Sequence, residues 1–399
     1  MRAYVDSSFC MATDILFGKG TEAQTAVKIR QHGGTKVMLV YGSGSIKRSG
    51  LYNTVTDALN GAGIPFVELG GVQPNPRRSL AQQGFQLAQK EGVDFLLGVG
   101  GGSTIDTAKA IAMGLADGTG FWRYFQGEKP RTMAKVGTIH TISAAGSETS
   151  GSAVLVDDLE TGLKKGMMYP DVLRPVFAIM NPELTYTVSA RQTAAGASDI
   201  FSHSLERYFS VHSTFLADQF GAGLMRSVLK YAPAALARPG DYEARAELML
   251  AASFAHNGVT GIGKPDEMLM IHGLEAYISG TYDTPHGQGL AVLMPAWLQF
   301  IAERCDAEKA ARAAQFAVDV FGVQPDMQDV RATAMEGVRR FRAWNKAIGM
   351  PASLTEMGIP AADLKKLVDN SRYGADGVMR GYIALDKKDV ETIFQSILL

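Results

Sequence analysis

Short apolar runs that stop dead at glycine-rich turns fill the first half of this chain, and they restrict it to few folds. Lys36–Tyr41 (KVMLVY) ends on Gly42-Ser43-Gly44-Ser45, and Phe95–Val99 (FLLGV) runs straight into Gly100-Gly101-Gly102. Pro65–Leu69 is a third run, and Val136–Ile142 and Val176–Met180 are two more. Runs this short and this uniformly apolar suit strands buried on both faces. Between them lie stretches with helical spacing: Ile46–Ala62, with Leu51, Val55 and Leu59 on one face, and Leu80–Lys90. Strand and helix in alternation predict a parallel sheet covered on both sides, an α/β unit of Rossmann-like type.

After about Pro182 the pattern changes. Amphipathic stretches follow over Ser189–Phe209, Phe215–Leu236, Tyr242–Asn257, Ala307–Val320, Val330–Ala347 and Ala361–Asn370, and no strand is predicted among them. A chain of 399 residues is long for one core. The reading is therefore two domains, an α/β domain over 1–184 and an all-helical domain over 185–399, packed around a cleft. A formal net charge of -1 gives no general pull toward nucleic acid or an anionic membrane. Cys10 and Cys305 are the only cysteines, which suits a reducing cytoplasm rather than a disulfide framework. No apolar run approaches the ~20 residues of a spanning helix, and Asp6, Asp14 and Lys19 interrupt the N-terminus, so a cytoplasmic protein is expected.

Two loops can take a dinucleotide. Gly98-Val99-Gly100-Gly101-Gly102-Ser103 joins a strand to a helix predicted to start near Thr104. A helix N-terminus offers unpaired N–H groups to a phosphate, glycines let it approach, and Ser103 is placed to cap the helix and donate. The spacing is neither a Walker A loop nor the standard G-x-G-x-x-G turn, and a tight turn with no ligand is the bland alternative. In the second loop, Gly42, Ser43, Gly44, Ser45 and Lys47 stand where many such folds place an acid for the ribose 2′-hydroxyl. Serines and a base there predict NADPH, with NADH possible.

Asp199 and His203, four residues apart on a predicted helix, face the same way and can grip one cation. Ser189 with Gln192 marks the start of that helix. His272 and His286 lie fourteen residues apart, and a helix with its following loop can bring both to the same ion. One carboxylate and three imidazoles suit Fe2+ or Zn2+. Spacing alone leaves His212 and His256 as competing ligands.

These residues resemble a family. Gly100–Lys109 (GGGSTIDTAK) is similar to the signature loop of iron-containing, group III alcohol dehydrogenases. Ala145-Gly146-Ser147-Glu148, Asn181-Pro182-Glu183-Leu184-Thr185 and Phe17-Gly18-Lys19-Gly20 also resemble segments of that family, in its order. Gly196-x-x-Asp199-x-x-x-His203-x-x-Glu206 resembles its first metal motif, and His272 and His286 keep its ligand spacing. The stretch Tyr41–Lys47 is most similar to the butanol dehydrogenase and broad aldehyde reductase branch, which favours NADPH. The resemblance implies a homodimeric enzyme moving hydride between NAD(P)H and a small alcohol or aldehyde. It implies metal ligation and catalysis by Asp199, His203, His272 and His286, and cofactor contacts that also include Asp106, Thr141 and Lys165.

One departure stands out. Many members carry a histidine four residues after the third ligand; here that position is Ala276, with Glu275 and Tyr277 as the neighbours able to take over a proton relay. Hydride transfer is still expected, since the ion supplies the main electrostatic effect. Two rivals are a dehydroquinate-synthase-like lyase and a nucleotide sensor without catalysis. The apolar surroundings of His272 (MLMIHGL) argue against the first, and retention of four candidate ligands argues against the second.

Overall fold

The computed structural model describes residues 5–212, 214–265 and 269–399. Strands β1 (Asp14–Phe17), β2 (Val37–Gly42), β3 (Phe66–Val72), β4 (Phe95–Gly100), β5 (Lys135–His140), β6 (Ser152–Val156), β7 (Lys164–Met168) and β8 (Phe177–Met180) come first. Helices α1 (Thr25–Gln31), α2 (Ser45–Arg48), α3 (Leu51–Gly61), α4 (Arg78–Glu91), α5 (Gly102–Asp117), α6 (Trp122–Phe125) and α7 (Pro170–Leu173) alternate with them. Then come α8 (Ala190–Tyr208), α9 (Phe215–Ala237), α10 (Tyr242–His256), α11 (Met270–Tyr282), α12 (His286–Arg304), α13 (Ala307–Phe321) and α14 (Val330–Ala347). The chain closes with α15 (Leu364–Asp369), a two-residue ladder of β9 (Met379–Arg380) with β10 (Ala384–Leu385), and α16 (Lys387–Gln395).

The chain forms two compact units, residues 10–188 with 239–257, and 1–9 with 189–238 and 258–399. In the first, six parallel strands run in the order β1-β8-β5-β4-β2-β3. Alternation along β2 shows why the runs are apolar throughout. Met38 and Val40 pack with Leu96, Val136 and Ile111 on one face, and Val37, Leu39 and Tyr41 pack with Phe95, Leu97, Val99 and Val55 on the other. From β2 the chain proceeds to β3, and from β4 to β5, on opposite sides, so the loops after β2 and β4 leave the carboxyl ends of neighbouring strands where the order reverses. Such a switch point is where open α/β sheets take ligands.

Three expectations need correction. The single helix over 46–62 is two, because Gly50 adopts φ 82, a left-handed conformation that an inner helical residue does not take, and caps α3. The β6–β7 hairpin and β1 escape the apolar-run pattern: β7 reads KKGMM, and β1 is only four residues long at the sheet edge. The second half is helical but for the β9–β10 ladder.

The second unit is a helical assembly with an aromatic centre. The ring of Phe201 on α8 lies tilted against Phe341 and Trp344 of α14, with centroids 4.6 and 5.6 Å apart. Ser189 caps α8 as expected, its hydroxyl accepting from the Gln192 N–H. No helix among the described residues is long and apolar enough to cross a membrane.

Candidate metal centre and cofactor loops

Helix α8 carries Asp199, His203 and Glu206 at i, i+4 and i+7, one face of the helix. His272 sits in the first turn of α11 and His286 is the first residue of α12. His286 therefore comes from a second helix rather than a loop. The break between the two is made by Asp283, in a left-handed conformation at the end of α11, and Pro285, which caps α12.

Ligand atoms of Asp199, His272 and His286 lie within 4.8 Å of one another. His203 is alongside rather than inside this triple: its Nδ1 is 3.4 Å from Asp199 Oδ1, and its ring centroid is 4.6 Å from that of His272. His272 Nε2 is 3.8 Å from the same Asp199 oxygen. Asp199 Oδ1 and His272 Nε2 are buried with no hydrogen-bond partner among the described residues. Buried polar atoms left unsatisfied cost ~1–3 kcal/mol each, so two of them turned toward each other fit a shared cation.

Two carboxylates stand behind the imidazoles. Glu206 meets His272 Nδ1 and also accepts from the Ile271 N–H at 2.6 Å; Glu275 meets His286 Nδ1. Burial pushes the His272 imidazole down, but Glu206 and Asp199 outweigh it and hold the group up at about 9. The sequence places Glu206 in the resembled metal motif without a role and Glu275 only as a substitute relay; their contacts to the imidazoles are seen in the structure. The available signals were the i+7 spacing of Glu206 and an acid at 275 within an apolar helix, which must find a partner. Glu275 is fully buried and turned to His286 and Ser279, which removes it as a substitute relay at the Ala276 position. His256 pairs with Ser152 Oγ at 3.0 Å, and neither it nor His212 is in the cluster.

In the sheet unit, α5 starts at Gly102 with Gly101 as its cap. Ser103 is thus inside the first turn and not the capping residue expected, because the helix begins two residues earlier than predicted. Asp106 engages Ser147 with one oxygen and accepts from the Val154 N–H at 3.0 Å with the other. Lys109 donates to Ser147 Oγ at 3.2 Å and to the carbonyls of Ser150 and Ser152 at 2.9 and 2.8 Å. Together they pin α5 to the segment that carries Ala145–Glu148. The Thr141 N–H donates to the Gly100 carbonyl at 3.1 Å, and Lys165 lies on β7 opposite Leu155.

Ser43, in the turn after β2, and Ser45 and Lys47, in α2, are exposed. Lys47 Nζ sits over the rings of Tyr41 and Tyr52 at 5.1 and 4.6 Å. Both tyrosine hydroxyls donate to Glu68, at 2.6 and 2.7 Å.

Residues 12–182 match the family model described as iron-containing alcohol dehydrogenase, and residues 193–398 match that of the C-terminal part of the same family. The chain is 35% identical over 389 residues to NADH-dependent butanol dehydrogenase A of Clostridium acetobutylicum, covering 97% of this chain and 98% of that one. It is 32% identical over 361 residues to the NADPH-dependent aldehyde reductase YqhD of Escherichia coli, covering 89% and 90%. Among solved structures, NADH-dependent butanol dehydrogenase A of Thermotoga maritima superposes over the full length of both chains with a TM-score of 0.93 and 33% identity.

Proposed function

Because the chain belongs to the iron-containing alcohol dehydrogenase family, we propose that it moves hydride between NADPH and a small aldehyde or alcohol, with one Fe2+ or Zn2+ held by Asp199, His203, His272 and His286. The convergence of Asp199, His272 and His286 within 4.8 Å carries this reading. When bound, the ion polarises the substrate oxygen and the nicotinamide supplies or accepts the hydride. Asp199 contributes the one negative charge of the ligand set. The Gly100–Ser103 turn offers the first N–H groups of α5 to the cofactor phosphates, braced from behind by Asp106 and Lys109. Thr141 and Lys165 complete that side. With Ala276 in place of an imidazole, the alcohol proton leaves through water or a ribose hydroxyl. The lyase and sensor readings are not favoured, since the relatives are named as dehydrogenases and reductases. We further propose that 1–184 serves the dinucleotide and 185–399 the metal, in a cytoplasmic homodimer.

The relatives differ in the cofactor they are named for, so the preference rests on this chain's own residues. Ser43, Ser45 and Lys47 can each donate to a 2′-phosphate, and the acid on the neighbouring strand, Glu68, is already taken by two tyrosine hydroxyls. Charge-assisted contacts contribute about 1.5–3 kcal/mol each, so kcat/KM for aldehyde reduction, followed by nicotinamide absorbance, should favour NADPH over NADH by roughly tenfold or more. Lys47→Ala should erode that ratio through the NADPH value alone. A ratio favouring NADH in the unmodified protein is the contrary result, and no turnover of any aldehyde with either cofactor would remove the functional reading itself.

A further inference from the structure

We propose that Glu275 is the positioning residue for His286, and that Gly289 exists as glycine to make room for it; the inference rests on the metal site proposed above. Asp199 and His203 are held by whole turns of α8 on either side, and His272 by the start of α11 and by Glu206. His286 has no such frame. It is the first residue of its helix, directly after Pro285, and its side chain is 29% exposed. What fixes it comes from the preceding helix: the Glu275 carboxylate meets Nδ1. That carboxylate is itself held, accepting from Ser279 Oγ at 2.9 Å one turn further along α11.

The space for this contact is made in α12. A Cβ on residue 289 would lie 2.7 Å from Glu275 Cγ and 2.8 Å from Oε1. Glycine there allows the first turn of α12 to close over a buried carboxylate. A fully buried acid in an apolar helix costs stability unless it is partnered, so the contact has a function to account for it. With Nδ1–H donating to Glu275, Nε2 is left as the ligating atom, its basicity raised and its ring plane fixed. Glu275 is thus a positioning residue that acts through His286 and touches neither substrate nor cofactor.

Titration of the full-length, metal-stripped protein with Co2+, read by its visible absorption and by equilibrium dialysis, tests this. Glu275→Ala is expected to weaken Co2+ binding about 10- to 100-fold and to change the absorption envelope, as loss of an outer partner typically does. Glu275→Gln can still accept from Nδ1–H through its amide oxygen, so it should restore the envelope and part of the affinity. Gly289→Ala, which leaves Glu275 in the sequence but crowds its carboxylate, should reproduce the loss. A purely packing role would lower the melting temperature while leaving Co2+ affinity and absorption unchanged in all three variants, and that result overturns the proposal. If the unmodified protein takes up no Co2+, the metal site itself is wrong and the inference falls with it; normal uptake by every variant would overturn the positioning role alone.

Discussion

His286→Ala is expected to leave a folded protein with little bound metal and kcat/KM for aldehyde reduction lowered about 10³-fold. The ligand triple of Asp199, His272 and His286 would lose the member supplied by α12, and with it the ion's polarisation of the substrate oxygen, an effect worth roughly 4 kcal/mol. His212→Ala and His256→Ala are the matched controls. His256 is occupied with Ser152 Oγ and lies outside the cluster, so neither change should alter metal content. Metal analysis of the three purified variants beside the unmodified protein checks this. Full occupancy and full activity in His286→Ala would assign the ligand wrongly.

Gly287→Ala is expected to be as damaging by a different route. A Cβ at 287 would fall far inside contact distance of the Ala195 carbonyl oxygen and 2.9 Å from Ala195 Cα. Both obstacles are backbone of α8, which cannot rotate aside, so the start of α12 must lift off. Ala195 is one helical turn before Asp199, and 287 follows His286, so the two ligands would be pushed apart at the same time. Overpacking of this kind costs about 3 kcal/mol or more. The Arg191 contact to Gln288 Oε1 at 3.0 Å, which ties the same turn of α12 to α8, would be stretched as well. Chemical denaturation together with metal content measures both effects. A variant as stable and as fully loaded as the unmodified protein would mean that α8 and α12 do not approach this closely.

Much of this arrangement was readable from the residues, and the exceptions have physical reasons. Strands buried on both faces advertise themselves, because β2, β4 and β8 have no polar side to mask the run. The β6–β7 hairpin has lysines and glycine in place of that signal. Long helices with a polar face, such as α9, α13 and α14, were placed to within a residue because their stripes are unbroken. By contrast α11 and α12 are apolar on most sides, so periodicity is faint there, and the left-handed Asp283 between them has no sequence mark. Asp199 and His203 were paired by spacing alone. That Glu206 and Glu275 stand behind the imidazoles needs the tertiary contact, since a glutamate on a helix reads first as a solvated residue. The glycines of His286-Gly287-Gln288-Gly289 carry no mark of their role in the sequence; each removes a side chain at a helix–helix contact.

Removal and return of the metal is the measurement that bears most directly on a metal-dependent reductase. Chelator-treated protein should oxidise NADPH with a small aldehyde at a rate lower by about 10³-fold, and stoichiometric Fe2+ or Zn2+ should restore the rate in the unmodified protein but not in His286→Ala. Aldehyde reduction at the full rate by protein shown to be free of metal would contradict it.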